Sequence, residues 1–253
     1  VKREIRILFT ALMFFTRLPC PKWTDHDPVY LKESGRYFSL IGWIVGAISA
    51  GVFLVSNLLF SIEISAVLSI AASIGLTGAF HEDALADVGD GFGGGWTKEK
   101  IILIMKDPRL GTFGVLTIML VVLLKIFALA DMPVHQIPLV ILSGHVLSRL
   151  VVSRMLARGN YISNHTNSKS ETAASKLSTR SLLINFIIGL SILCFFKNWW
   201  VFLTLLPMFI TEALLYRYYK KWIGGYNGDC IGAVQQITEL VFYLSVLMLW
   251  KFI

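Results

Sequence analysis

The chain of 253 residues is 55% hydrophobic and only 15% charged, with a mean hydropathy of +0.68. Average soluble chains carry about 25% charged residues, so this one lacks the polar surface to cover its apolar mass in water, and an ordinary soluble domain is excluded. The net charge of +7 reads as loop asymmetry and contact with anionic membrane lipid; nothing in it invokes nucleic acid.

In chain order, Lys2, Arg3 and Arg6 introduce an apolar stretch, Ile5–Phe15. It lacks a small-residue cleavage site and runs into Arg17-Leu18-Pro19, so it reads as an uncleaved interfacial or re-entrant helix. Residues 16–37 read as a Pro-rich loop (Pro19, Pro21, Pro28) with Trp23 and Tyr30 suited to the headgroup layer. Apolar runs at 38–60, 64–80, 110–130, 138–153, 181–196, 199–216 and 231–250 then predict about seven transmembrane helices. Several reach the ~20 residues that cross ~30 Å of hydrocarbon; 138–153 and 181–196 are short. Gly42 and Gly46 form a small pair that permits close helix contact. The expected fold is an all-α integral membrane protein. No domain boundary or repeat is visible, so 1–253 reads as one polytopic domain.

Most of the 23 Lys and Arg lie on alternate connections: before the first apolar stretch, in 16–37, and in the segments 81–109, 154–180 and 217–230. The positive-inside rule places these connections and the N-terminus in the cytoplasm, and the C-terminus outside. Cys20, Cys194 and Cys230 are scattered, with no disulfide or zinc spacing.

The stretch Gly78–Gly114 concentrates Glu82, Asp83, Asp87 and Asp90, four of the chain's 16 acidic residues, directly after an apolar run taken to end at Phe80. On a helix Asp83, Asp87 and Asp90 fall within roughly 60° of one another. Like charges so placed repel, and a divalent cation between them relieves the repulsion; Mg²⁺ takes one or two carboxylates and completes its shell with water and phosphate oxygens. Gly89, Gly91, Gly93, Gly94 and Gly95 would let the backbone approach a ligand. The plainer alternative is a solvated acidic helix end. A short basic amphipathic piece, Lys98–Lys106, leads to Asp107-Pro108-Arg109-Leu110-Gly111, where Lys106 and Arg109 suit phosphate oxygens. Lys98 and Lys100 read as ordinary positive-inside residues.

The polar loop 154–180 reads as a substrate-covering segment, with His165 solvated and the Asn164-His165-Thr166 acceptor pattern on the wrong side for glycosylation. A second glycine–carboxylate element, Gly224–Gly232, offers Asn227, Gly228 and Asp229 to an anion or a shared cation. Four charged residues (Lys, Arg, Glu) lie within apolar runs, where such groups are functional candidates. Arg149 and Glu212 suit mutual pairing near the cytoplasmic boundary. Glu239, about 12 Å into its span, needs a partner and has Gln235 beside it. Lys125, near the outer end, can snorkel. His81 could accept a proton, though its place at a helix entry explains it equally well.

Taken together these stretches resemble one family. HEDALADVGDG looks like the acidic signature of cobalamin synthase (adenosylcobinamide-GDP ribazoletransferase), KDPRLGTFG like its second element, GGYNGDCIGA like its third, and FFTRLPCP like its opening. Ala84 stands where the family usually has Gly, and Pro108 where it usually has Ser. The resemblance implies a multi-span inner-membrane enzyme, dependent on Mg²⁺. It would join adenosylcobinamide-GDP to α-ribazole or its 5′-phosphate and release GMP. On that reading Asp83, Asp87 and Asp90, with Glu82 as a further ligand, hold the metal. Arg109 and Lys106 bind phosphate oxygens, and Asn227, Gly228 and Asp229 complete the site. Homo-oligomerisation stays open. Two rivals are a CDP-alcohol phosphotransferase-like lipid enzyme, whose wider aspartate spacing does not fit Asp83–Asp90, and a cation or solute transporter built on Glu239, Glu212 and Arg149.

Overall fold

A computed structural model describes residues 2–25, 27–162 and 169–252. Among these the chain is helical, apart from turns and one isolated bridge between Tyr161 and Tyr226. Helix α1 (Lys2–Phe15) is amphipathic and buries Ile7, Thr10, Ala11 and Phe15. The expected 16–37 loop is partly helical. Asp27 accepts from the Val29 amide at 2.8 Å, and Pro28, pre-set for a first helical position, opens α2 (Pro28–Glu33). A 3-10 turn (Ser34–Tyr37) carries α2 into α3 (Phe38–Ser56). Glu4 accepts from Arg36 at 2.7 Å and from the Tyr37 hydroxyl at 2.8 Å, tying α1 to the start of α3.

Among the described residues five helical stretches are long and apolar enough to cross a membrane. They are α2–α3, α7 (Thr112–Ala130), α8 (Ile137–Arg158), α11 (Leu205–Ile223) with the 3-10 segment Trp199–Thr204 ahead of it, and α12 (Gly228–Phe252). The chain is thus a multi-pass membrane protein. Of the apolar window of α8, 83% is buried, against 22% for α7 and for Trp199–Ile223; α8 is therefore the central post and the other two are peripheral. Gly46 admits α8 closely, since a Cβ there would stand 2.9 Å from Leu142 Cα.

Two of the seven apolar runs are irregular. α4 (Ile62–Thr77) stops short of Phe80, because Gly78 (φ 69) and Ala79 (φ 60) both adopt left-handed backbone. The chain turns by 93° into α5 (Phe80–Gly94). A non-glycine residue in that region is uncommon, and this one makes Phe80 the first residue of the acidic helix instead of the last of a span. The run at 181–196 is α10 (Thr179–Leu190) continued by a 3-10 segment, Ser191–Phe195. The run at 138–153 lengthens to the 22 residues of α8.

Two short helices complete the chain, α6 (Lys98–Met105) and α9 (Lys169–Ala173). His165, with Asn164 and Thr166, lies outside the described residues, as does the middle of the expected covering loop. One apolar cluster gathers Phe15, Phe38, Leu85, Met155 and Tyr226 and reaches Val234 on α12; a second, with Phe53 and Leu147, begins on α12 at Phe242. Between those two levels Gln235, Gln236 and Glu239 are buried.

Candidate active site

α5 and α12 build the site. The acidic stretch is helical as expected, so its aspartates fall on related faces, yet they meet different surroundings. Asp83 is exposed and Asp87 half-buried. A cavity of about 170 Å³ is lined by Phe80, Asp83, Ala84, Tyr161, Asn227, Gly228 and Asp229. The charges of Asp229, Asp83 and Asp90 all act on Asp87, and that of Asp83 acts on Asp229. Like charges this close disfavour one another's ionised form.

Asp229 reaches the cleft because the Gly224–Gly232 element is mostly helix. Asn227 caps α12, its Oδ1 accepting from the Cys230 amide at 3.0 Å, while its Nδ2 donates to Asp229 Oδ2 at 2.9 Å. Asn227 therefore orients Asp229 and closes a helix end. A carboxylate in a first turn suits the helix dipole, and free amides there suit anions.

Tyr161 is a site residue that the sequence reading missed. The Tyr226 amide donates to Asn160 O at 3.2 Å and the Ile162 amide to Tyr226 O at 2.8 Å, pinning Tyr161 beside the start of α12. Burial, with the carboxylates of Glu171 and Asp229 nearby, pushes its phenol up to about 12. It therefore stays a hydroxyl that can donate. Within a long polar loop, no local pattern singles it out.

The remaining predicted residues are placed elsewhere. Asp90 is buried, accepting from the Gly111 amide at 2.7 Å and the Gly114 amide at 2.8 Å; it caps α7 from a neighbouring helix. Glu82 points into the core, where Gln236 Nε2 donates to Oε1 at 2.9 Å and Oε2 has no partner. His81 is also buried, with neither ring nitrogen bonded. Arg109 is 86% exposed and forms a two-pronged pair with Asp107, at 2.9 and 2.6 Å. Those bonds hold the Asp107 carboxyl at about 2 and raise Arg109. Lys106 is exposed at the end of α6. Among the described residues no three His, Cys, Asp or Glu are arranged to hold a metal ion. The glycines of α5 serve packing and not ligand approach: a Cβ at Gly89 would stand 2.6 Å from Thr117 Oγ1, and one at Gly91 2.6 Å from Met105 Cγ.

The residues expected to be intramembrane change partners too. Arg149 does not meet Glu212. It is fully buried and donates to His145 O at 2.9 Å, while Glu212 faces Arg158 at 3.0 Å and Arg154 at 3.5 Å. Lys125 does not snorkel. It is buried on Glu239 at 2.8 Å, which also takes Gln235 Nε2 at 2.8 Å, the Tyr243 hydroxyl at 3.2 Å and His145 at 3.3 Å. The partner required by Glu239 is thus Lys125, contributed by α7.

Against this geometry stand the comparisons with known proteins. No solved structure matches the chain. An adenosylcobinamide-GDP ribazoletransferase of Shewanella frigidimarina is 39% identical over 249 residues, 97% of this chain and 95% of the relative. One from Shewanella amazonensis is 37% identical over 255 residues, 99% and 98% of the two chains. The family model described as cobalamin-5-phosphate synthase matches residues 7–247, which takes in α5, the turn at Tyr161 and the start of α12, and the chain belongs to that family.

Proposed function

We propose that this protein is a transferase joining adenosylcobinamide-GDP to α-ribazole, or its 5′-phosphate, with release of GMP. The transfer takes place at the cleft between α5 and α12. The observation that carries the reading is the meeting of Asp83 and Asp229, from two separate helices, in one cleft at a helix start, with Asp87 near enough to feel both charges, in a chain similar over almost its whole length to relatives named for this transfer. A ribose hydroxyl attacks the phosphorus nearer the corrinoid; the new P–O bond forms as the bond to the GMP oxygen breaks, and the hydroxyl proton passes to a carboxylate. Such a transfer needs positioning and charge neutralisation above all.

Asp83 and Asp229, the two carboxylates lining the cleft, would hold Mg²⁺, which needs few protein carboxylates because phosphate oxygens and water complete its shell, and Asp87 would add its charge from beside them. When bound the ion neutralises the diphosphate. The Tyr161 hydroxyl and the first amides of α12 donate to phosphate oxygens. Arg109 and Lys106 bind the nucleotide's outer phosphate once Arg109 leaves Asp107. Glu82 and Asp90 support α5 and lie outside the ligand set. The cleft would open to the cytoplasm from an inner membrane, an orientation that the distribution of basic residues supports.

The test is GMP release by purified protein in detergent, where no gradient exists. Both substrates and Mg²⁺ are expected to be required, and Asp87→Asn is expected to lower turnover. Equal release without Mg²⁺, or none with both substrates, overturns the reading. CMP release from a CDP-alcohol would favour the lipid-enzyme rival. The transporter rival loses ground because Glu239, Glu212 and Lys125 are paired within the protein.

A further inference from the structure

One stripe of α12 runs along α5. Gly228 lines the cleft. Gly232 lies against the next turn, where a Cβ would meet Ala84 Cβ at 2.5 Å. Gln236 lies one turn further on and donates to Glu82. These positions, four residues apart, form one helix face, so the contact that aligns the two helices also sets how Asp83 and Asp87 stand opposite Asp229. Its far end is the only polar one of the three, and it is anchored. Lys125 Nζ donates to Gln236 Oε1 at 2.7 Å and to Glu239 Oε1 at 2.8 Å. Gln236 Nε2 serves Glu82 Oε1 at 2.9 Å and Gln235 Oε1 at 3.0 Å.

The side chain required at 236 is chemically restricted. It must accept from an ammonium and donate to a carboxylate at once, which an amide does and an ionised carboxyl or an alkyl group cannot. In an apolar interior each loss leaves a buried group unpaired. Glu82 and Asp83 are neighbours roughly 100° apart around α5, so holding Glu82 inward turns Asp83 toward the cleft.

Resting on the transferase reading, we propose that Gln236, anchored by Lys125 and Glu239, is a positioning residue for the transfer. It fixes Glu82, and so the rotation and height of α5, without touching substrate. The experiment is a swap cycle of Gln236→Glu, Glu82→Gln and the double variant. Gln236→Glu sets two carboxylates against each other beside one lysine. The double variant restores an amide donor and an acceptor in reversed order. The expected result is a kcat at least about tenfold lower in Q236E, with KM for both substrates within about twofold, and recovery of most of that loss in the double variant. Thermal midpoints of the four proteins should be non-additive, as for residues in contact. Wild-type kcat in Q236E, or a double variant as slow as the single ones, overturns the proposal. So do additive midpoints, a readout that does not need turnover. A wild type that releases no GMP sinks the transferase reading instead, and the midpoints then still decide whether the strut exists.

Discussion

Asp83 and Asp90 belong to one helix and carry the same charge, yet their surroundings assign them opposite work. Asp90 has both oxygens on the amides that open α7, so it contributes to stability. Hydrogen bonds to a charged acceptor are worth about 1.5–3 kcal/mol, and Asp90→Asn would turn an amide donor toward one of those N–H groups. A fall in unfolding free energy of about 2 kcal/mol is expected, read as a lower thermal midpoint in detergent. Asp83 is exposed at the cleft. Asp83→Asn should leave stability within about 0.5 kcal/mol but lower turnover about 100-fold, which corresponds to roughly 2.7 kcal/mol of transition-state stabilisation. The reverse pattern would exchange their roles. The acidic cluster was legible in the sequence because spacing on a helix sets a face; which aspartate is spent on a neighbouring helix was not, since Gly111 and Gly114 reach Asp90 only through tertiary packing. Arg149 and Lys125 were misread for the same reason: depth along a span can be counted, whereas the partner across a helix interface cannot.

Between helices, glycine has a second use that a motif reading confuses with the first. In α5 and α12 it removes bulk where another element presses in. At Gly232 an added Cβ would stand 2.5 Å from Ala84 Cβ, and neither atom can rotate away. Gly232→Ala is therefore expected to destabilise by about 1–3 kcal/mol through overpacking, and to depress turnover because α5 must shift relative to Asp229. Gly51 in α3 is the control, since a Cβ there meets nothing within 4 Å. Gly51→Ala should be neutral or stabilising by up to about 1 kcal/mol. Midpoints of the two variants measured side by side decide it; equal shifts would mean that α5 and α12 yield where they cross. The apolar runs gave the helices their approximate bounds. The 93° turn at Gly78-Ala79 escaped notice because alanine carries no turn signal, and α2 because three prolines suggested a loop although Pro28 follows a capping aspartate.

Across the whole molecule the connections sort to two ends. Asp90 on the start of α7, Tyr161 beside Tyr226 and Glu4 on Arg36 put the site, α1 and the start of α3 at one end. At the other end, Lys251 lies 3.7 Å from Asp131, and Lys197 and Asn198 share a cavity of about 410 Å³ with Trp250. α10 with its 3-10 continuation runs between these ends: Asn185 accepts from the Ser39 amide at 2.7 Å, and Phe195 lines the cavity beside Trp250. α4 does likewise, from Ile62 against the second apolar cluster to Leu76, whose carbonyl takes the Arg17 amide at 2.7 Å. Five stretches have the length and apolarity of a span, six with the bent pair α4–α5; with α10 also crossing the number is odd, which would send positions 2 and 251 to opposite faces. The basic residues lie mainly at the site end, so that end should face the cytoplasm. Single cysteines replacing Lys2, Lys98, Lys197 or Lys251, in a chain with Cys20, Cys194 and Cys230 removed, test this in intact cells. An impermeant maleimide should label positions 197 and 251 and spare 2 and 98 until the membrane is opened. Labelling of position 98 from outside would turn the cleft away from cytoplasmic nucleotides, and with it the proposed transfer; labelling of 2 and 251 from the same face would mean that one of the two short runs fails to cross.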